Sequence, residues 1–268
     1  MNAHQTSLPV QGFRLARLGL HIAQGLITAA LVFPLANRDW RERLIQNWSA
    51  GLLKVLNVAV VVHGQVPDHR VRSAMFVSNH ITWMDIWALN GVHPMRFIAK
   101  QEIRTWPLVG WLAKQGGTLF IERTRRQDTG RITHTATQAL RDGDCLCIFP
   151  EGTTTDGTEV REFKTSLLQP PINAGAMLWP LSIHYPLPNG GINTAIAYWA
   201  DVTMMQSLKE VLKQHQIKVE LRFGTPLSTK GQDRRTLARQ SREIIVALLD
   251  HPPHKVPEKP GGLQAASH

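Results

Sequence analysis

The sequence predicts an α/β protein: a mixed sheet flanked by helices, led by an N-terminal pair of membrane-associating helices. Three observations carry that prediction. From residue 58 onward, short apolar runs alternate with helical stretches, the mark of a layered α/β domain. Before residue 58 the pattern differs: Leu18 to Ala36 holds no charged side chain and is bounded by Arg14 and Arg17 on one side and Arg38 and Arg41 on the other. The 268-residue chain also carries a net charge of +10 with 8 Trp and only 2 Tyr, a balance suited to an anionic lipid interface.

Taken in order, the uncharged stretch would make a helix about 28 Å long, just enough for a bilayer core. His21, Gln24 and Thr28 dilute it and Pro34 bends its end. A helix lying in one leaflet therefore fits better than a full span, and no small-x-small cleavage site marks a removed signal. Trp40, Leu44, Ile45, Trp48, Leu52, Val55 and Leu56 recur at helical spacing among Arg38, Arg41, Arg43 and Lys54, predicting a second, amphipathic helix. An ordinary core-packing helix pair is the competing reading. Strands are predicted at 58–62, 74–77, 96–99, 118–121, 145–149, 177–183, 193–198 and 218–223. Helices are predicted near 85–90, 107–115, 125–141, 204–215 and 232–249, the third closing on Arg141-Asp142-Gly143. In the last, Leu237, Ile244, Ile245 and Leu248 share one face. Three parts follow: N-terminal helices over 1–57, one domain over 58–250, and a Pro- and Gly-rich tail over 251–268 expected to be disordered, its His251 and His254 solvated rather than metal-bound.

Composition narrows the function. At 43% hydrophobic the chain can bury a large core. It lacks zinc-finger spacing and RNA-binding aromatic signatures, so the positive charge points to a membrane and not to nucleic acid. Cys145 and Cys147, two apart on a strand, face the same way and cannot bridge each other. They read as small buried apolar groups in a reducing compartment.

The chemistry concentrates in FVSNHITWMDI, residues 76–86. His80 and Asp85 stand five positions apart just after an apolar run. A carboxylate that holds one ring nitrogen leaves the other to take a proton from a hydroxyl. No G-x-S-x-G serine motif occurs, so the hydroxyl would belong to a substrate. The same spacing recurs at His63…Asp68, where Gly64 and Pro67 predict a surface turn.

What separates the two is company. SNHITWMD (78–85), GGTLFIER (116–123), FPEGTTTDG (149–157) and WPLSIHY (179–185) stand in order, and FIAKQEIRTWPLVGWLAKQGG lies between the first two. Across about residues 50–225 the chain thereby resembles the glycerolipid acyltransferases, the 1-acylglycerol-3-phosphate acyltransferase family, and the resemblance implies that family's fold. It implies His80 as the base that deprotonates the acceptor hydroxyl attacking an acyl thioester, with Asp85 orienting the imidazole. It further implies acceptor binding by Arg123, Glu151, Gly152, Thr153 and Lys164, and support from Asn79, Gly117, Phe149, Pro150 and Pro180. Arg123 suits a phosphate or carboxylate, or an ion pair with Glu122 or Asp128; Glu151 would bind acceptor hydroxyls or tune the site. The sequence departs from the family where Thr154 replaces a common Arg, and where Lys164 remains but the glycine after it is lost. An EGTT-x-DG loop of this kind resembles acyltransferases of lyso-ornithine lipid, a zwitterionic acceptor. Arg123, Arg125, Arg126 and Lys164 still suit a phosphate, so lysophosphatidate ranks first and lyso-ornithine lipid second. The donor is expected to be acyl-CoA or acyl carrier protein, with no metal or prosthetic group, at the cytoplasmic face of a bacterial inner membrane. A lipid hydrolase or a non-catalytic membrane binder would leave the ordered blocks unexplained.

Overall fold

The computed structural model describes residues 5–68, 70–122 and 126–250, without the side chains of 126, 127 and 129. The expected tail, Arg123 and Arg125 lie outside the described residues.

The first helix, α1 (Leu8–Ile27), begins well ahead of the uncharged stretch and continues as one π-helical turn, Thr28–Val32. Arg14 explains the early start. Its guanidinium is buried and donates to the carbonyls of Gln214 at 2.7 Å and His215 at 2.9 Å. This charge, which flanks the uncharged stretch, is satisfied inside the fold and pins the start of α1 to the body. The second helix, α2 (Arg38–Val55), is capped by Asn37, whose side chain accepts from Trp40 N. The two helices interlock where His21 stacks on Trp48 at 4.9 Å and each ring meets the other residue's carbonyl. Gly25 permits that approach, since a Cβ there would lie 2.4 Å from the Trp48 indole. Two further cations that flank the stretch are engaged within the fold: Arg38 pairs with Asp144 at 2.6 Å, and Arg41 bonds the Ala36 carbonyl.

Seven strands follow: β1 (Val58–Gly64), β2 (Ala74–Ser78), β3 (Arg96–Lys100), β4 (Leu119–Ile121), β5 (Cys145–Ile148), β6 (Met177–His184) and β7 (Ile217–Phe223). They form one sheet in the order β1-β7-β6-β2-β5-β3-β4. Only the β6–β7 pair is antiparallel. The central β2 and β5 are buried along their whole length, which is why they read as unbroken apolar runs. On one face Phe76, Cys147, Leu181 and Leu221 pack with Leu53 of α2 and Leu89 of α3 (Met84–Val92). On the other, Met75, Leu146 and Ile148 pack with Leu140 of α5 (Arg126–Arg141) and Leu237 and Ile245 of α8 (Arg234–Asp250). The helix α2 thus contributes to the core and is not solely a membrane element. The remaining helices are α4 (Val109–Gln115), the short α6 (Gln169–Ala174) and α7 (Met204–Lys213).

Two expectations fail. Residues 193–198 are not a strand: they hold a single 3-10 turn, Thr194–Ile196. Both edges of β6, the strand before it, are taken by β2 and β7, and the segment crosses the sheet end, where Tyr198 N donates to Ile81 O at 2.9 Å. His63 is not in a surface turn: it ends β1, buried, 3.8 Å from Glu220.

Candidate active site

The carboxyl ends of β2 to β6 share one edge of the sheet, the usual place for a ligand in an open α/β sheet. The chain leaves β2 at Ser78 and passes through Asn79 and His80 before α3 begins. Asn79 extends the sheet by side chain, donating to Ile183 O at 2.9 Å and accepting from Ile183 N at 2.8 Å. That clamp sets the position from which His80 turns outward.

Asp85 organises the loop. It is fully buried in the first turn of α3. One oxygen accepts from His80 Nδ1 at 2.8 Å, Ile81 N at 2.7 Å and Thr82 N at 3.0 Å. The other accepts the Tyr185 hydroxyl at 2.8 Å. Every hydrogen bond to this carboxylate comes from a neutral donor or from His80, so its charge is directed at the imidazole. Nδ1 being held, Nε2 is the nitrogen left for a reactant, on a side chain 18% exposed. The ring lies against Phe149, 3.9 Å between centroids and 9° from parallel, and Phe97 stacks beyond it at 6.0 Å. His80 can therefore neither rotate nor tilt without breaking a stack and a hydrogen bond.

The loop after β5 supplies the opposite wall. Gly152 is buried at φ +78°, a conformation that favours glycine. Glu151 is turned inward: its oxygens accept from His80 N at 2.9 Å and Arg161 N at 3.0 Å. Both of its oxygens thereby hold backbone of the two loops. Thr155 N closes the loop on His80 O at 2.9 Å, and the Thr154 hydroxyl bonds Tyr198 O. Thr153 is half-buried in the same loop. Lys164 is exposed, its amide held by Pro150 O at 2.8 Å. Pro180 is buried in β6 beside Val77. Gly117, expected among the supporting residues, lies at the other edge of the sheet. There its carbonyl accepts from Arg96 at 2.7 Å and its φ of +76° makes the turn into β4.

Burial pushes the Glu151 carboxyl above its ordinary range, against the lowering effect of its two backbone donors. A carboxyl whose folded pKa is raised contributes stability below its ordinary value, lost as pH rises through the raised one. Wild-type unfolding free energy should therefore decline as pH climbs above 4.5. Denaturant titrations across that window should show wild type losing stability relative to Glu151→Gln as pH rises. At neutral pH the variant should cost about 1–3 kcal/mol, because its amide cannot accept from both backbone donors.

Tyr185 is a site residue that the sequence motifs do not single out, although it ends the fourth block. It is fully buried, and burial, then the Asp85 charge, raise its pKa well above the usual value. One signal could have found it: a buried tyrosine hydroxyl needs an acceptor. Tyr185→Phe leaves one Asp85 oxygen bare and should cost about 1.5–3 kcal/mol in denaturant unfolding. Its kcat should fall far less than that of a His80 variant.

An apolar cavity of about 370 Å³ is lined by residues of α1, α2, α3, β3 and α4, with Trp48, Trp87, Phe97, Ile103 and Leu112 in its walls. Phe97 places it two stacked rings from His80. Among the described residues no three His, Cys, Asp or Glu side chains gather as a metal-binding group.

Known proteins agree with this architecture. A family model described as Acyltransferase matches residues 59–184. A lyso-ornithine lipid O-acyltransferase of Pseudomonas aeruginosa is 35% identical, over 88% of this chain and 92% of its own length. A 1-acyl-sn-glycerol-3-phosphate acyltransferase of Neisseria meningitidis is 30% identical, over 78% and 82%. The crystal structure of the 1-acyl-sn-glycerophosphate acyltransferase PlsC from Thermotoga maritima has the same fold, with a TM-score of 0.66 at 23% identity over 91% of this chain and 100% of that one. The chain belongs to the acyltransferase family, as an O-acyltransferase of the lysophosphatidate and lyso-ornithine lipid type.

Proposed function

We propose that the protein transfers an acyl chain from acyl-CoA or acyl carrier protein to the free hydroxyl of 1-acylglycerol-3-phosphate, giving phosphatidate. The observation that carries this reading is the His80–Asp85 pair, with Nδ1 held at 2.8 Å and Nε2 left for a reactant on a side chain 18% exposed. In the proposed step the acceptor hydroxyl gives its proton to His80 Nε2 as its oxygen attacks the thioester carbonyl. A C–O bond forms, the C–S bond breaks, and the departing thiolate takes the proton back from the imidazolium. Asp85 stabilises that imidazolium throughout. The donor arrives activated, so the mechanism calls for no metal or prosthetic group. The cavity beyond Phe97 is suited to an acyl chain, being walled by aromatic and aliphatic side chains. Lys164 and Arg161, both exposed next to the Glu151 loop, are the cations that would meet a phosphate, together with Arg123.

The second reading is transfer to lyso-ornithine lipid by the same chemistry. Thr154 favours it, since this position lacks a guanidinium and its hydroxyl is committed to the Tyr198 carbonyl. The name of the Pseudomonas relative points the same way. Both readings place the enzyme at a membrane, at its cytoplasmic face. Support for the membrane comes from the 25-residue helix Leu8–Val32, whose most apolar 18-residue window has a mean hydropathy of 1.5 and is only 17% buried.

An acceptor panel tests the choice. The purified protein receives an acyl thioester with lysophosphatidate, lyso-ornithine lipid, lysophosphatidylcholine or no acceptor, and products are read by mass spectrometry. Phosphatidate as the main product is expected. Acylated ornithine lipid in its place would keep the mechanism and replace the acceptor; free fatty acid without acceptor would overturn both.

A further inference from the structure

The chain between the 3-10 segment Gln101–Thr105 and α4 adopts a backbone that its sequence does not favour. Leu108 stands at φ 60°, ψ −51°, and Val109 N donates to Pro107 O at 2.6 Å. This is a γ-turn of the positive-φ form, rare and strained for a side-chain-bearing residue. Gly110 tightens it further, because a Cβ there would lie 2.4 Å from Arg104 O. The outcome is an apolar tip, with Leu108 57%, Val109 45% and Trp111 38% exposed. Strain that turns a leucine out toward solvent stabilises nothing within the fold, and strained backbone concentrates at functional places.

A second observation says what covers the tip. Val109 and Leu112 form one wall of the apolar cavity, and Gly25, Thr28 and Ala29 of the first helix and its π-turn form another. On that second wall's element Ile27 and Leu31, and Leu35 in the turn just after it, are exposed. Two apolar prominences thus flank one cavity. The segment 100–115 carries Lys100, Arg104 and Lys114 against Glu102 alone, and all three cations are exposed. Cations beside an apolar tip match anionic headgroups above acyl chains.

We propose that the Leu108 turn inserts into the acyl region of the bilayer as a second foot beside the cavity, opposite α1, with Lys100, Arg104 and Lys114 at headgroup depth. The choice of a lipid surface rests on the acyltransferase reading above. Insertion is read without substrate, so its failure and that of the acceptor assignment are distinguishable.

The test uses the full chain with Leu108→Cys, Leu31→Cys or Ser228→Cys, each labelled with an environment-sensitive thiol dye. Both native thiols are buried, and burial pushes Cys145 up to about 11 and raises Cys147 as well, so labelling reports the introduced thiol. Ser228 is exposed next to Leu227, which bridges to Leu178 at the start of β6, the end of the sheet away from His80. On vesicles containing phosphatidylglycerol, the dye at 108 should be quenched by acyl-chain spin labels and shielded from aqueous iodide, as at 31 and unlike 228. Iodide access at 108 equal to that at 228 would overturn the proposal, whether or not 31 is shielded. A second variant separates membrane from structural roles. Leu108→Gly suits φ 60° and should leave or raise the thermal midpoint, while vesicle affinity drops roughly tenfold through loss of one buried leucine. Unchanged vesicle affinity in that variant would also sink the idea.

Discussion

Replacing His80 with alanine should lower kcat by about 10²–10⁴-fold, the range that a positioned general base supplies. The fold should survive, because the ring contributes a stack on Phe149 and one bond to Asp85, while the backbone of residue 80 stays held by Glu151 and Thr155. Far-ultraviolet dichroism and vesicle co-sedimentation should match wild type while product formation collapses. KM for the acceptor should change little, since Nε2 acts on the reacting hydroxyl and not on the headgroup. A variant that keeps wild-type turnover would remove His80 from the mechanism and the general-base reading with it.

Asp85→Asn is the second large effect, and its partners allow a sharper expectation. The asparagine oxygen can accept from His80, Ile81 and Thr82 as the aspartate does, and its amide can donate to the Tyr185 oxygen. Such an orientation keeps the loop's donors satisfied but leaves the buried Tyr185 hydroxyl proton without an acceptor, so the variant should cost about 1–3 kcal/mol, well short of losing the fold. What disappears is the negative charge that stabilises the imidazolium, and kcat should fall by about 10²–10⁴-fold. Asp85→Ala makes the contrast. It strips partners from two buried backbone amides, from His80 and from Tyr185, each at about 1–3 kcal/mol, and should lose the fold together with activity. Denaturant unfolding and initial rates on both variants would separate charge from scaffold. Equal losses of stability in the two would show that Asp85 serves the loop and not the imidazole.

Much of the fold is legible in the amino-acid sequence. The runs at 74–77 and 145–149 are apolar throughout, as a central parallel strand covered on both faces requires, and both are central strands. The last helix is equally plain, its Leu237 and Ile245 recurring at helical spacing on the buried face. Local pattern misleads where a distant neighbour outvotes it. Residues 193–198 have strand composition, yet both sides of β6, the strand before them, are already taken, and the segment holds only a 3-10 turn. Arg14 has the look of a membrane-boundary cation until the carbonyls after α7 claim it. His63 repeats the spacing of His80, yet it sits in β1 beside Glu220 and not in the loop after β2.

The chemistry divides along the same line. The reacting types are written in the chain: a histidine and an aspartate five positions apart, followed by the Glu151 loop, in an order that marks the family. Their separation is short enough for one loop to bring them together. Their surroundings come from folding. Tyr185, one hundred residues from Asp85, completes the carboxylate's bonds. Glu151 holds backbone, Gly117 stands at the far edge, and an apolar cavity ends two rings from the imidazole. Each of these depends on strands remote in sequence meeting at one sheet edge. The order of strands in a sheet follows from packing many elements at once, which no local run of residues encodes.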